Sequence, residues 1–175
     1  MQGAVVQRVG SRLVPMALTC VSFLSACARE DEAALRARLA QWFMIGDSVE
    51  FSAQHDCAAA TYRLRGTRMK SALPVTSDTA RLLHDLARHG VAALDDPALS
   101  PDAALIDLTN ADRPTGMTIR RVALEARRCM GGITESAFRY ALQNPATVLA
   151  YDSRHHTLML LDRATGVLVT ARGAS

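Results

Sequence analysis

Three residues of types that together can hydrolyse an ester occur in this chain. Ser48 follows a glycine and an aspartate in the stretch FMIGDSVEF, and Asp152 precedes His155 by three residues near the carboxyl end. A serine nucleophile needs a base that removes its proton and an acid that orients the base, and histidine and aspartate can fill these roles. These residues form one candidate catalytic set: Ser48, Asp152 and His155.

The stretch Gly46-Asp47-Ser48 resembles the nucleophile block of the GDS-type (SGNH) esterases, and Asp152-x-x-His155 resembles their late Asp-x-x-His block. The resemblance implies an α/β fold and serine esterase activity. Two features disagree: a helical pattern leads into Ser48, and the asparagine stretch LTNADR lacks the Gly-x-Asn form of the family. Alternatively, the glycine ends a helix and the next residues form a turn. The sequence favours a protein without enzymatic activity, with the esterase as an alternative.

The amino-terminal residues resemble a bacterial lipoprotein signal peptide. Residues 1–26 carry two arginines and no acid, and residues 13–26 are almost wholly apolar. This apolar run is shorter than the roughly 20 residues that span a bilayer. It closes on LSAC, which resembles a lipobox ending at Cys27. In proteins with that signal the cysteine thiol receives a diacylglyceryl group, the preceding peptide is removed, and the new amino end is acylated. The resemblance thus implies lipidation of Cys27 with palmitate-type chains.

The same resemblance implies a mature chain of residues 27–175, a single lipid-anchored globular domain that faces the periplasm. Ala28 is not the aspartate linked to inner-membrane retention, so an outer-membrane location is implied. Two or more acyl chains would hold the protein firmly at a membrane. Two alternatives stay open: secretory cleavage after Ala28, because Ala26-Cys27-Ala28 fits the small-x-small pattern, or no cleavage at all.

Two cysteines, Cys57 and Cys129, remain if Cys20 leaves with the signal and Cys27 takes the lipid. An even pair in an oxidising compartment predicts a disulfide, which would contribute about 4 kcal/mol in the chain-entropy model. Buried free thiols and metal ligation are the alternatives. A zinc site would draw on His55, Cys57, Asp152, His155 and His156, and would make the chain a metal-binding accessory protein. No spacing matches a zinc signature, so we predict no metal and no cofactor.

The charge of the chain gives little support for a nucleic-acid partner. The net charge is +3, and two of the arginines that contribute to it, Arg8 and Arg12, lie in the signal. The rest of the chain is nearly neutral. One predicted helix has four arginines opposite its apolar stripe, interrupted by Glu125, and such a face is either simply solvated or contacts an anionic lipid, polymer or protein of the envelope. These arginines are Arg120, Arg121, Arg127 and Arg128.

The pattern of apolar residues predicts an α+β domain rather than a series of βαβ units. The predicted helices are residues 30–44, the stretch from a Ser77 cap to Gly90, about 101–109, 117–130 and 134 to about 143. The predicted strands are 49–54 and 58–65, followed by ATVLAYD, HTLMLLD and GVLVTAR as an antiparallel meander. We expect residues 66–76 to be a loop and residues 112–116 to break the chain. The result would be a sheet of about five strands with four to five helices on one face.

Overall fold

The computed structural model describes residues 30–174, which contain one mixed sheet and five α-helices. The strands are β1 (Met44–Ala53), β2 (Ala58–Gly66), β3 (Val75–Thr76), β4 (Val91–Leu94), β5 (Thr147–Asp152), β6 (Thr157–Asp162) and β7 (Val167–Arg172). The helices are α1 (Glu32–Leu39), α2 (Thr79–His89), α3 (Pro101–Ala111), α4 (Arg113–Ala126), followed by a 3₁₀ turn (Arg127–Cys129), and α5 (Gly132–Gln143). The α+β class predicted from the sequence is confirmed.

The predicted signal peptide and Cys27 lie outside the described residues. Within residues 30–174, no helix is both long and apolar enough to cross a bilayer.

The sheet has seven strands in the order β1-β2-β7-β6-β5-β4-β3, not the five that the sequence predicts. The early pair and the C-terminal meander occur as expected, and all neighbours are antiparallel except β3 and β4. The two strands that sequence reasoning missed are short, and α2 connects them in a parallel β3-α2-β4 unit. Strand β4 reads Val-Ala-Ala-Leu directly after the helix-ending Gly90, so it offers no alternation that would distinguish it from a loop.

The sheet is covered on both faces, whereas the sequence predicted helices on one face. Alternate side chains of β5 point to opposite sides: Leu149 and Tyr151 pack in the core with α2–α5, whereas Val148 and Ala150 pack in the core with α1. Every residue of β5 and β6 is buried, as expected for strands that lie between two layers. Helix α1 thus forms a separate layer, together with Trp42 and Phe43.

Three predicted boundaries also differ from the structure. Helix α1 ends at Leu39 and not at residue 44, so Trp42 and Phe43 are buried just beyond it. Asp78, and not Ser77, caps α2 by accepting from the N–H of Arg81. The expected break at 112–116 is confined to Asp112, whose extended backbone separates α3 from α4; α4 begins at Arg113 and carries its proline in the first turn, where the missing N–H costs nothing.

Glu50 of β1 fixes the start of α5 across a large distance in the sequence. Its Oε2 accepts a hydrogen bond of 2.7 Å from the backbone N–H of Thr134, in the first turn of the helix. Gly131, at the N-cap position, has no side chain to do this. Hydrogen bonds from the side chain and backbone of Thr134 lower the pKa of Glu50 below its ordinary value of 4.5. The carboxylate therefore acts as the cap of α5.

Replacing Glu50 with alanine should lower the free energy of unfolding at neutral pH by about 1 kcal/mol, the usual value of a helix cap. A carboxylate with a lowered folded-state pKa stabilises the fold above its unfolded-state pKa, and this contribution is lost as the pH falls through the folded-state pKa. The difference between wild type and variant should therefore shrink below pH 4.5. Urea unfolding from pH 7 to pH 3 measures this, with exposed Asp47→Ala on the same strand as control. A difference independent of pH would contradict the capping role.

Candidate functional site: a pocket at one end of the sheet

One end of the sheet gathers the turns that carry most of the histidines. The register runs from Ala53 through Ala58, Arg172, Thr157 and Asp152 to Val91 as one row across six strands. The turns beyond this row contain His55, the pair His155-His156, and His89 at the end of α2. The fold therefore brings polar residues from distant parts of the sequence to one end of the molecule.

Asp152 and His155 are in direct contact, as their spacing predicts. The Nδ1 atom of His155 lies 2.6 Å from Oδ2 of Asp152, and the backbone N–H of Arg154 donates to Oδ1 at 3.0 Å. The aspartate side chain is 3% exposed and the histidine side chain 47%. Nδ1 is the ring nitrogen that faces the carboxylate, so Nε2 is left for another partner. The pair offers one oriented imidazole at the surface.

The next turn of the meander has the same construction with different residues. There Asp162 Oδ2 accepts a hydrogen bond of 2.6 Å from the hydroxyl of Thr165, which occupies the position of His155. The residue after it has a positive φ in both turns, 67° at Gly166 and 48° at His156. An aspartate that closes a turn on its own following residues is a common structural device. The contact between Asp152 and His155 is therefore part of the turn, and threonine is the natural replacement for this histidine.

Ser48 does not join this pair. Ser48 on β1 pairs with Tyr62, and the same row of the sheet continues through Leu168 and Leu161 to Val148 on β5. Strand β5 is four strands away from β1, and Val148 lies at the other end of β5 from Asp152. Four strand spacings correspond to roughly 19 Å, so no proton transfer connects the serine to the histidine. The catalytic set of Ser48, Asp152 and His155 is wrong as a site, because the order of motifs along the chain does not determine which strands become neighbours.

A cavity of about 360 Å³ lies beside His155, and we call it the end pocket. Helix α1 forms one wall, and the α2–β4 junction and the β5–β6 turn form the other. Gly90 shapes this second wall: it has a φ of 78°, and the side chain of Arg154 lies where a side chain of residue 90 would be. The lining residues are Ala34, Ala37, Arg38, Gln41, Trp42, His89, Gly90, Val91, Asp152, Arg154 and His155.

Positive charge is in excess around the end pocket. The carboxylate of Glu30 is bound by Arg38 at 3.1 Å and by Arg172 at 3.0 Å, and its side chain is 8% exposed. Together with Arg154 and Asp152, the group has three guanidinium groups against two carboxylates. The Nε atom of Arg38 is buried and has no hydrogen-bond partner within residues 30–174. Buried donors normally have an acceptor, so this orphaned N–H marks Arg38, which also lines the pocket, as incompletely satisfied.

The cysteines are paired elsewhere at this end of the fold. The Sγ atoms of Cys57 and Cys129 lie 2.08 Å apart, at disulfide distance, and both residues are buried. This is the pairing expected from the sequence. It leaves Cys57 unable to bind zinc, and among the described residues no group of three or more histidine, cysteine or acidic side chains could hold a metal ion.

The four arginines of the predicted basic face have different surroundings. Arg128 pairs with Asp56 at 2.7 Å, and its hydrogen bond lowers the pKa of that carboxyl. Arg127 lies 3.4 Å from Glu135. Arg120 and Arg121 are exposed on α4, and Arg120 and Arg127 line a shallow groove of about 300 Å³ beside Leu124. Two of the four charges are thus already matched by acids.

Sequence reasoning missed most of the end pocket. The predicted helix over residues 30–44 contains Glu30 and Trp42, but its sequence singles out neither of them as a pocket residue. Nothing in the pattern of α1 indicates that Arg38 binds Glu30, because that contact depends on how the helix lies on the sheet. The spacing of Asp152 and His155, and the grouping of His55 with His155 and His156 in the zinc hypothesis, were the signals that pointed to this end.

Known proteins provide no further guide to the pocket. No protein-family model, no curated protein and no solved structure matches this chain.

Proposed function

We propose that this chain is an envelope lipoprotein, anchored through Cys27 and facing the periplasm, whose folded part is a non-enzymatic binding module. The lipobox-like stretch that ends at Cys27 supports the anchor. The end pocket supports the binding role. An enzymatic role is not proposed, because the register separates Ser48 from the acid–base pair.

The excess of guanidinium groups at the end pocket is the observation that carries the binding role. Arginine suits phosphate and carboxylate groups, because its planar fork of donors matches two oxygen atoms at once. Arg154 and Arg38 line the pocket and carry guanidinium donors, and the imidazole of His155 lines the same pocket. We therefore propose a small acidic ligand that carries a phosphate or carboxylate.

Inorganic phosphate is the simplest probe for this site. Arg154→Ala should weaken phosphate binding about tenfold or more, because a charged hydrogen bond contributes about 1.5–3 kcal/mol. His155→Thr should also weaken it without loss of stability, since threonine closes the equivalent turn after Asp162. Isothermal titration of the detergent-solubilised full chain measures both effects.

The matched control is Arg163→Ala. Arg163 is an exposed arginine of the equivalent turn at the opposite end of the sheet, where it pairs with Asp95. This variant should bind phosphate as the wild type does. The binding role would be refuted if phosphate did not saturate the wild type, or if the variants of Arg154 and Arg163 lost affinity equally.

A further inference from the structure

Glu30, just before α1, is held firmly beside the end pocket. Glu30 accepts from Arg38 of α1 and from Arg172 of β7, so two separate elements fix its side chain. Arg38 also lines the pocket. The residue that precedes the N-cap of α1 is therefore part of the pocket surroundings.

The proposed lipid would lie close to this point. Cys27 precedes Glu30 by three residues, and an extended chain spans at most about 3.6 Å per residue, so roughly 11 Å separates their Cα atoms at most. This step rests on the proposed lipid anchor. A bilayer that holds acyl chains on Cys27 must then lie next to the end of the sheet where the pocket is.

We infer that the end pocket binds the phosphate of an anionic phospholipid in the membrane that anchors the protein. The guanidinium groups of Arg154 and Arg38 line the pocket and suit the phosphate, and Ala34, Ala37 and Trp42 provide apolar wall for the glycerol end of the lipid. Tethering raises the effective concentration of headgroups at the pocket, so an affinity that is weak in solution suffices at the membrane.

The groove beside Leu124 is a less suitable site for the same lipid. Its apolar floor is exposed, but the carboxylate of Glu135 lies between the guanidinium groups of Arg127 and Arg139 and offsets their charge. Within residues 30–174, Glu30 pairs with Arg38 and Arg172, and neither of these lines the groove. The end pocket combines unmatched positive charge with a position next to the proposed anchor.

Photocrosslinking of the mature full chain in nanodiscs tests this assignment. A photoreactive residue replaces exposed Gln41 at the pocket, Leu124 at the groove, or Arg163 at the opposite end of the sheet. In nanodiscs that contain phosphatidylglycerol and phosphatidylcholine, position 41 should give about tenfold more lipid adduct than the other two, and mostly with phosphatidylglycerol. Adding His155→Thr or Arg154→Ala should reduce that adduct, and either variant alone is sufficient if the other does not fold.

Three results would overturn the inference without refuting the proposed function. Equal adducts at all three positions would show that the pocket does not face the bilayer selectively. More adduct at position 124 would assign the lipid to the groove. Saturable phosphate binding in detergent, with no lipid adduct at position 41, would identify a free phosphate compound as the ligand. The intact mass of the same sample separates these results from failure of the anchor, since a chain without acyl groups on Cys27 refutes the lipoprotein itself.

Discussion

Replacing Cys27 with serine should abolish acylation and release the protein from the membrane fraction. If Cys27 is the lipidated residue, its thiol is the atom that takes the diacylglyceryl group, and serine does not provide it. Two acyl chains give firm membrane attachment, at about 0.8 kcal/mol per buried CH₂, so the change in partition should be nearly complete. Intact mass of detergent-extracted protein and fractionation of the cells measure the two effects.

Cys20→Ser provides the matched control for this variant. Cys20 lies in the apolar part of the same predicted signal, so its replacement should change neither the mature mass nor the location. A wild-type mass that corresponds to a chain beginning at Arg29 would instead establish ordinary secretory cleavage after Ala28. A mass that corresponds to a chain beginning at Met1 would refute export-linked processing. The disulfide could then no longer be attributed to export into an oxidising compartment.

The parts of the fold that could be predicted are those with strong local signals. The meander of β5, β6 and β7 has long apolar runs separated by turn residues, and α3 has both a Ser100 cap and a first-turn proline. The parts that could not be predicted depend on tertiary contacts. Strand β3 has two residues and β4 has four, so both are too short to show a periodicity of apolar residues. The sequence of α1 does not indicate on which face of the sheet this helix packs.

Only part of the candidate site could be predicted from the sequence, for a similar reason. Asp152 and His155 lie in one turn, so their spacing alone predicts their contact. The distance of Ser48 from that turn depends on strand order, and three strands lie between β1, which carries Ser48, and β5, which carries Asp152. Comparison of two turns of the fold shows that the Asp152–His155 contact closes its turn, because Asp162 and Thr165 close the neighbouring turn in the same way. The histidine therefore adds an imidazole to a turn that does not need one.

Removing the disulfide should cause the largest loss of stability of any single change considered. The bond between Cys57 and Cys129 joins residues 72 positions apart. The chain-entropy model gives about 4 kcal/mol for a loop of this length, against a usual total of about 5–15 kcal/mol for a folded domain. Cys129→Ser should therefore lower the melting temperature by roughly 10 °C. Thermal unfolding of both proteins, with and without reductant, measures the loss.

Reductant is the internal control, because it should lower the stability of the wild type to that of the variant and leave the variant unchanged. Alkylation of native protein should find no free thiol at Cys57 or Cys129. Full labelling without reduction, or a wild-type melting temperature that does not respond to reductant, would show that the two cysteines are buried free thiols in solution.

The position of the bond also predicts which other change it should interact with. Cys129 lies just before α5 and is tied to the start of β2, while Glu50 of the neighbouring strand caps α5 at Thr134. Both contacts hold the same helix start against the β1–β2 pair, so each should be worth less once the other is gone. The double variant Cys129→Ser with Glu50→Ala should therefore lose less stability than the sum of the single variants. Strict additivity would mean that the bond and the cap stabilise separate parts of the fold.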